Sequence, residues 1–123
     1  MTACYIAVEA GTGEVAGYYT LAAAGITLGD LPEPLAKRLP HNPSVPVARL
    51  GRLAVGQAHW GRQLGAALLW DATTRAARSE VAVLALVVDA EDDQAEAFYC
   101  HHGFLAFGSL TPQFILPLAR FAA

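Results

Sequence analysis

In the segment VAVLALVVDA, residues 81–90, the first eight residues are all apolar and an aspartate follows them. A strand with one face in water alternates apolar and polar residues, whereas a run without alternation is typical of a strand buried on both faces. The run follows residues 61–79, where Leu64, Leu68 and Ala72 recur at the spacing of an amphipathic helix. The sequence therefore predicts a helix followed by a strand in the middle of a layered sheet.

The other elements are predicted from alternation, turn residues and helix ends. In chain order they are a hairpin at 3–25, a loop with five prolines at 28–46 that holds at most a short helix at 33–39, a strand at 45–55, a short helix at 91–103 that ends at Gly103, and two closing strands within 104–110 and 114–120. This order predicts a single domain over residues 1–123, of the α+β or mixed α/β class, with a central sheet flanked by helices.

Composition limits the class of protein. Hydrophobic residues make up 54% of the chain, which is enough for a core, and no apolar run approaches the roughly 20 residues of a membrane span. The N-terminus has no basic region of the kind that opens a signal peptide, so we expect a cytoplasmic protein.

The two cysteines, Cys4 and Cys100, are far apart and lack the CxxC spacing that is typical of metal sites. We expect two buried free thiols, with a disulfide as the open alternative.

Charge is distributed unevenly along the chain. The net charge is −3, yet residues 37–78 contain seven lysines and arginines against only Asp71. One interpretation is a set of ordinary solvated arginines on a strand and a helix. The other is a binding site for a polyanion, such as a phosphorylated cofactor or a nucleic acid.

The segment WGRQLGA at 60–66 lies where the strand at 45–55 gives way to the helix. A helix N-terminus presents unpaired N–H groups and the positive end of a dipole, and glycine lets an anion approach the backbone. Arg62 can add a charged contact. The segment thus predicts a phosphate cradle, with a merely tight turn as the alternative. It is neither a Walker loop nor a dinucleotide fingerprint, because GK[ST] and GxGxxG are both absent.

Three segments together resemble the GNAT superfamily of acetyl-CoA-dependent N-acetyltransferases. They are LGRLAV at 50–55, WGRQLGAALLWDA at 60–72 and VVDAEDDQAEAFYCHHGF at 87–104. The family's Q/R-x-x-G-x-G/A signature falls on residues 60–65, where Gly65 matches while Trp60 replaces the usual Gln or Arg and Gln63 replaces the middle Gly. The family's AxxFYxxxGF block is present at its spacing, as Ala95, Phe98, Tyr99, Gly103 and Phe104.

The resemblance implies a GNAT fold and a set of site residues. Tyr99 would act as the general acid that assists departure of the CoA thiolate, with packing of a helix face as the alternative role. The expected contacts to acetyl-CoA are the backbone of Leu53, Ala54 and Val55 and the loop and helix start at Gly61, Arg62, Gln63, Leu64, Gly65 and Ala66. The alternative role of the strand residues is ordinary strand core.

The same segments resemble one subfamily in particular, the GNAT toxins of bacterial toxin–antitoxin pairs. The resemblance implies acetylation of the α-amino group of aminoacyl-tRNA, a homodimer, and a small ribbon-helix-helix antitoxin as partner. Arg52, Arg75 and Arg78 are the candidate RNA or substrate contacts, with solvated arginines as the alternative. Relatives in this subfamily begin with a further strand and two helices, which we expect this chain to lack.

Two rival functions stay open at this stage. One is an acetyltransferase for a small amine or a protein N-terminus. The other is a non-catalytic GNAT domain that acts as a dimer or binds an antitoxin. An α-amine has a pKa of about 8 in a free peptide, and an adjacent ester should lower it, so that much of the amine is neutral near pH 7 and needs no dedicated base. We predict no metal site, because the adjacent His101 and His102 point about 100° apart on a helix.

Overall fold

The computed structural model describes residues 2–27, 44–61, 63–79, 83–107 and 113–118. Within these ranges the chain forms six strands and two α-helices. In chain order they are β1 (Thr2–Val8), β2 (Val15–Thr27), β3 (Ser44–Val55), α1 (Leu64–Ala77), β4 (Ala85–Asp89), α2 (Asp93–His101), β5 (Leu105–Phe107) and β6 (Gln113–Pro117). A 3-10 turn, Gln57–His59, lies between β3 and α1.

The six strands form one mixed sheet in the order β1-β2-β3-β4-β6-β5. The predicted hairpin is confirmed, because β1 pairs antiparallel with β2 from Thr2↔Ala22 to Val8↔Val15. β3 and β4 pair in parallel, and the remaining neighbours are antiparallel. The predicted class, a central sheet with helices packed on it, is therefore confirmed.

The core lies on both faces of β4, as its apolar run predicts. All four residues from Ala85 to Val88 are buried. Leu86 and Val88 pack with the buried face of α1 and with Tyr99 of α2. Ala85 and Val87 belong to a second cluster on the opposite face of the sheet. Both helices therefore pack on the same face of the sheet.

A β-bulge interrupts β3 at the point where it separates from β4. Tyr19 pairs with Leu53 and Leu21 pairs with Leu50, so that Thr20 alone opposes two residues, Gly51 and Arg52. The Thr20 hydroxyl accepts a hydrogen bond from the backbone N–H of Arg52, at 3.1 Å. The last pair between β3 and β4 is Leu50↔Val88, directly before the bulge. Beyond it β3 continues along β2 only, and a wedge opens between β3 and β4.

The starts of α1 and β4 differ from the sequence prediction. Helix α1 begins at Leu64 rather than at residue 61, because Gly61 and Gln63 both have positive φ angles, +80° and +60°, which no α-helix contains. β4 is shorter than the apolar run and begins at Ala85. The proposed short helix at 33–39 and parts of the closing strands lie outside the described residues.

The prediction of buried cysteines is wrong. Cys4 and Cys100 are both free and exposed. Cys4 lies on β1, the edge strand, on the same side as the exposed Ile6. Cys100 follows Tyr99 on α2, and only Tyr99 of that helix is buried. An apolar neighbourhood in sequence did not translate into burial at these two positions.

The bulge generates the first testable prediction. A methyl group at Gly51 would lie 2.5 Å from Oγ1 of Thr20, well inside contact distance. Gly51→Ala should therefore lower the free energy of unfolding by about 1–3 kcal/mol, measured by urea denaturation. In a Thr20→Ala background, where that oxygen is absent, the same substitution should cost clearly less. An equal cost in both backgrounds would contradict this account of the bulge.

Candidate functional site

The wedge between β3 and β4 contains a cleft of about 300 Å³. One wall is the bulged half of β3 and the other is the end of β4 with the first turns of α2. We call this the wedge cleft, and its lining residues are Tyr18, Gly51, Arg52, Leu53, Ala54, Val88, Asp89, Glu91, Asp92, Ala95 and Tyr99. Because pairing with β4 stops at Leu50, the edge of β3 that faces the cleft has no strand partner among the described residues.

Tyr99 places a mostly buried ring at the wall of the wedge cleft. The side chain is only 7% exposed and packs against Phe98, Phe104 and Phe114. Burial, and secondarily the negative charge of Glu91, raise the pKa of Tyr99 to about 12. The Tyr99 hydroxyl forms no hydrogen bond with a described residue, yet no buried side-chain oxygen or nitrogen in the described ranges lacks a hydrogen-bond partner. The hydroxyl therefore reaches the cleft, and it remains protonated at neutral pH.

Three acidic side chains line the wedge cleft, but two of them are engaged. Asp89 forms an ion pair with Arg49 at 3.2 Å. Asp92 caps α2 by accepting the Ala95 N–H at 2.8 Å. Glu91 forms no hydrogen bond or ion pair with any described residue. Its charge acts on Arg52, whose pKa it helps to raise, so that the cleft contains a carboxylate and a guanidinium that form no ion pair with each other. The sequence analysis did not single out Glu91, because its place in the cleft depends on the fold.

The loop before α1 has an unusual backbone conformation. Gln63 is the N-cap of α1 and adopts the left-handed conformation with φ 60° and ψ 23°, and its side chain makes no capping hydrogen bond. Among the described residues Gln63 is the only non-glycine residue with positive φ. Glycine adopts this conformation without strain, whereas other residues do so at a cost. Gln63 therefore holds the backbone shape that a glycine would give at this position.

A second cavity of about 770 Å³ lies between this loop and α2. We call it the loop pocket. Its lining residues are Val55, His59, Trp60, Gly61, Gln63, Leu64, Gly65, Ala66, Gln94, Phe98, His101 and His102. The loop pocket and the wedge cleft are lined by neighbouring residues of the same two elements, with Ala54 beside Val55 on β3 and Tyr99 beside Phe98 on α2.

The structure brings nearly all predicted site residues to these two neighbouring cavities. Leu53, Ala54, Arg52 and Tyr99 line the wedge cleft. Val55 and the predicted cradle residues Gly61, Gln63, Leu64, Gly65 and Ala66 line the loop pocket. Arg62 lies outside the described residues.

Arg75 and Arg78 lie elsewhere, in a groove of about 680 Å³ at the C-terminal end of α1. Arg75 is not a free cation. Its Nε is 2.9 Å from Oδ2 of Asp71, and its guanidinium carbon is 4.2 Å from the ring centroid of Tyr5. The buried Tyr19 hydroxyl donates to the same Asp71 oxygen, and this hydrogen bond, with Arg75, holds the pKa of Asp71 below its usual range. Arg75 thus has a structural role here.

Arg52, Arg75 and Arg78 are all exposed, and of these three Arg52 and Arg78 form no ion pair with a described residue. Arg52 lies in the wedge cleft, where Tyr18 and then Glu91 raise the pKa of its guanidinium. Within the described ranges no three His, Cys, Asp or Glu side chains come together as a metal site. No helix in those ranges is long and apolar enough to cross a membrane.

Comparisons with known proteins agree with this geometry. The sequence profile of the Acetyltransferase (GNAT) family matches residues 2–104. The tRNA-acetylating toxin of Mycobacterium tuberculosis (strain ATCC 25618 / H37Rv) is 39% identical over 94 residues, which are 75% of this chain and 55% of that protein. This chain therefore spans about half the length of that curated relative.

Two solved structures of similar proteins superpose closely. AtaT complexed with acetyl-methionyl-tRNAfMet is 28% identical with a TM-score of 0.84, over 93% of this chain and 69% of that chain. AtaTR bound with acetyl-CoA is 25% identical with a TM-score of 0.79, over 97% of this chain and 72% of that chain.

The left-handed N-cap generates a stability prediction. Gln63→Gly should raise the free energy of unfolding by about 1 kcal/mol, because glycine adopts a positive φ without the steric cost that glutamine carries. The matched control is Gln94→Gly, an exposed glutamine inside α2, which should lower it by about 1 kcal/mol. Urea denaturation of both variants measures whether each substitution raises or lowers the free energy of unfolding. Destabilisation by Gln63→Gly would show that the glutamine side chain itself supports the loop.

Proposed function

We propose, from the membership of this chain in the GNAT acetyltransferase family, that it transfers the acetyl group of acetyl-CoA to a primary amine. We further propose that this amine is the α-amino group of an aminoacyl-tRNA. The observation that supports acetyl transfer best is the wedge cleft, which presents a protonated phenol and an unpaired strand edge beside the loop before α1. The preference for charged tRNA rests on the relatives.

The two neighbouring cavities match the two ends of acetyl-CoA. The loop pocket contains the start of α1, where N–H groups and the helix dipole favour the pyrophosphate. Gly61 and Gly65 keep the loop free of side chains there, and Arg62 is proposed to add a positive charge. The pantetheine and the thioester would extend along Leu53, Ala54 and Val55 into the wedge cleft. AtaTR bound with acetyl-CoA supports the same co-substrate for this chain.

Tyr99 would assist the departure of the leaving group. The neutral amine attacks the thioester carbonyl, the C–N bond forms and the C–S bond breaks. The Tyr99 hydroxyl donates a hydrogen bond to the departing thiolate, and the proton released by the amine nitrogen passes through solvent to the thiolate, which leaves as the thiol of CoA. A phenol with a pKa of about 12 stays protonated and can donate this hydrogen bond throughout the reaction. Backbone N–H groups of Leu53 to Val55 would polarise the carbonyl.

Glu91 is the side chain in the cleft that suits a positively charged acceptor. The fraction of the amine that arrives protonated is an ammonium ion. Glu91, which forms no hydrogen bond or ion pair with a described residue, can bind that charge and orient the nitrogen towards the thioester. The amine then releases its proton to solvent before attack. Glu91 therefore favours an amine over a neutral hydroxyl acceptor.

Charged tRNA is the proposed bearer of the amine. The mycobacterial relative is a tRNA-acetylating toxin, and AtaT forms a complex with acetyl-methionyl-tRNAfMet. Arg52 in the cleft and Arg78 at the end of α1 are exposed and can contact phosphates, whereas Arg75 already neutralises Asp71. Such a reaction would take place in the cytoplasm, where charged tRNA is found.

A protein partner is part of this proposal. Three apolar residues of the β1–β2 hairpin, Ile6, Val8 and Val15, are each 56–57% exposed. They form an apolar strip at the edge of the sheet. Contiguous exposed apolar residues typically mark an interaction surface. A homodimer and a ribbon-helix-helix antitoxin, which the toxin resemblance implies, are the candidate partners.

The role of Tyr99 is tested by removing its hydroxyl. Tyr99→Phe should lower the rate of acetyl transfer to charged tRNA by about 10²–10⁴-fold while leaving the Kd for acetyl-CoA within about threefold. Because the pKa of Tyr99 is about 12, the wild-type rate should rise as the amine deprotonates and should not fall near pH 10. Tyr5→Phe, which removes a phenol outside both cavities, is the control and should leave the rate and the Kd unchanged. A parallel loss of rate and cofactor affinity in Tyr99→Phe would remove Tyr99 from the chemistry.

The cradle is tested at Gly65. A methyl group there would make only ordinary contacts, 3.7 Å from Phe98 and 3.8 Å from Val55, so the fold has room for alanine. Gly65→Leu should fill the loop pocket and weaken acetyl-CoA at least about tenfold, or 1.4 kcal/mol, by calorimetry. Gly65→Ala should bind nearly as the wild type does. Unchanged binding in a folded Gly65→Leu variant would place the phosphates elsewhere.

A further inference from the structure

Trp60 is an exposed aromatic residue whose position is fixed. Trp60 is 65% exposed, so that a large apolar surface is in contact with water. Its indole N–H nevertheless donates a hydrogen bond to the carbonyl oxygen of Val55 at 3.0 Å. This contact ties the ring to the end of β3 and leaves much of its surface exposed. A ring held in this way can receive a flat partner without first being ordered.

The surroundings of Trp60 are rich in rings. The loop pocket is lined by five aromatic or imidazole side chains, namely His59, Trp60, Phe98, His101 and His102. Phe98 and His102 lie edge to face with centroids 4.7 Å apart, and His59 lies 3.5 Å from Glu9. A volume of about 770 Å³ is in the range of pockets that hold a nucleotide-sized ligand.

Trp60 also directly precedes the backbone that suits an anion. Gly61 has φ +80°, Gln63 has φ +60°, and the uncapped start of α1 follows at Leu64. If the phosphates of a ligand bind to this loop, the group that is bonded to those phosphates lies next to the indole of Trp60. A fixed aromatic ring beside an anion-binding loop matches a ligand that joins a flat base to phosphates.

We infer that Trp60 forms a stacking subsite for the purine ring of a nucleotide, here the adenine of acetyl-CoA. The inference deepens the proposed function and rests on it. Stacking of a base on an aromatic side chain contributes enough to change affinity about tenfold or more on truncation to alanine. The competing role is purely local, in which Trp60 only braces the loop through its hydrogen bond to Val55.

The test compares two thioesters that differ only in the purine. Acetyl-CoA and its base-free analogue, in which hydrogen replaces adenine on the ribose while the pyrophosphate and the 3′-phosphate are kept, are titrated by calorimetry against the full chain and its Trp60→Ala, Trp60→Phe and Trp70→Ala variants. Trp60→Ala should weaken acetyl-CoA about tenfold and leave the base-free analogue unchanged. Trp60→Phe, which cannot donate to Val55 but can stack, should retain most of the acetyl-CoA affinity. Trp70→Ala, which removes an indole that is 74% exposed but lies outside the loop pocket, should bind both as the wild type does.

Each result has a defined meaning. Equal loss of both ligands in Trp60→Ala would overturn the inference in favour of the bracing role, and no loss of either would remove Trp60 from binding. Failure of the wild type to bind acetyl-CoA at all would overturn the proposed function and the purine subsite with it. A second readout is the fluorescence emission of Trp60 in a Trp70→Phe variant. Acetyl-CoA should change this emission, and the base-free analogue should not.

Discussion

The early separation of β3 from β4 is the constraint on which the rest of the site depends. Only three residue pairs join the two strands, from Ala48↔Leu86 to Leu50↔Val88. After the bulge opposite Thr20, β3 stays paired with β2 alone. The Thr20 hydroxyl holds the extra residue by accepting a hydrogen bond from the Arg52 N–H. A continuous ladder would fill the wedge with backbone hydrogen bonds. Its interruption leaves a strand edge and a cleft open to a ligand.

The helices complete the site by packing on one face of the sheet. Because α1 and α2 share that face, the start of α1 and the middle of α2 lie side by side, and Gly65 lies within contact distance of Phe98. The apolar packing that holds α2 also desolvates Tyr99 and raises its pKa. The same contacts thus provide stability and supply a neutral phenol at the cleft wall.

The sequence predicted the elements whose signals are local. The alternating hairpin, the apolar run of β4, the Asp92-led helix that stops before Gly103 and the segment around Gly61 to Ala66 were all recognisable from neighbouring residues. The bulge at Gly51 was not, because it depends on Thr20, a residue 31 positions earlier in the other strand. The hydrogen bond from Tyr19 to Asp71 depends likewise on the fold, whereas the ion pair of Arg75 with Asp71 joins residues four apart on α1 and is a local signal. The availability of Glu91 became visible only once the partners of its acidic neighbours were known.

The central claim is that the wedge cleft and the loop pocket hold acetyl-CoA for transfer to the amine of a charged tRNA. The most direct measurement follows labelled acetyl from acetyl-CoA onto aminoacyl-tRNA, beside the same tRNA uncharged, the same aminoacyl-tRNA with its amine already formylated, and the free amino acid ester. The account predicts label only on the tRNA with a free α-amine, with a rate that falls steeply as salt is raised. Equal labelling of the free ester, independent of salt, would contradict the tRNA assignment, and no labelling of any amine would contradict acetyl transfer by this chain.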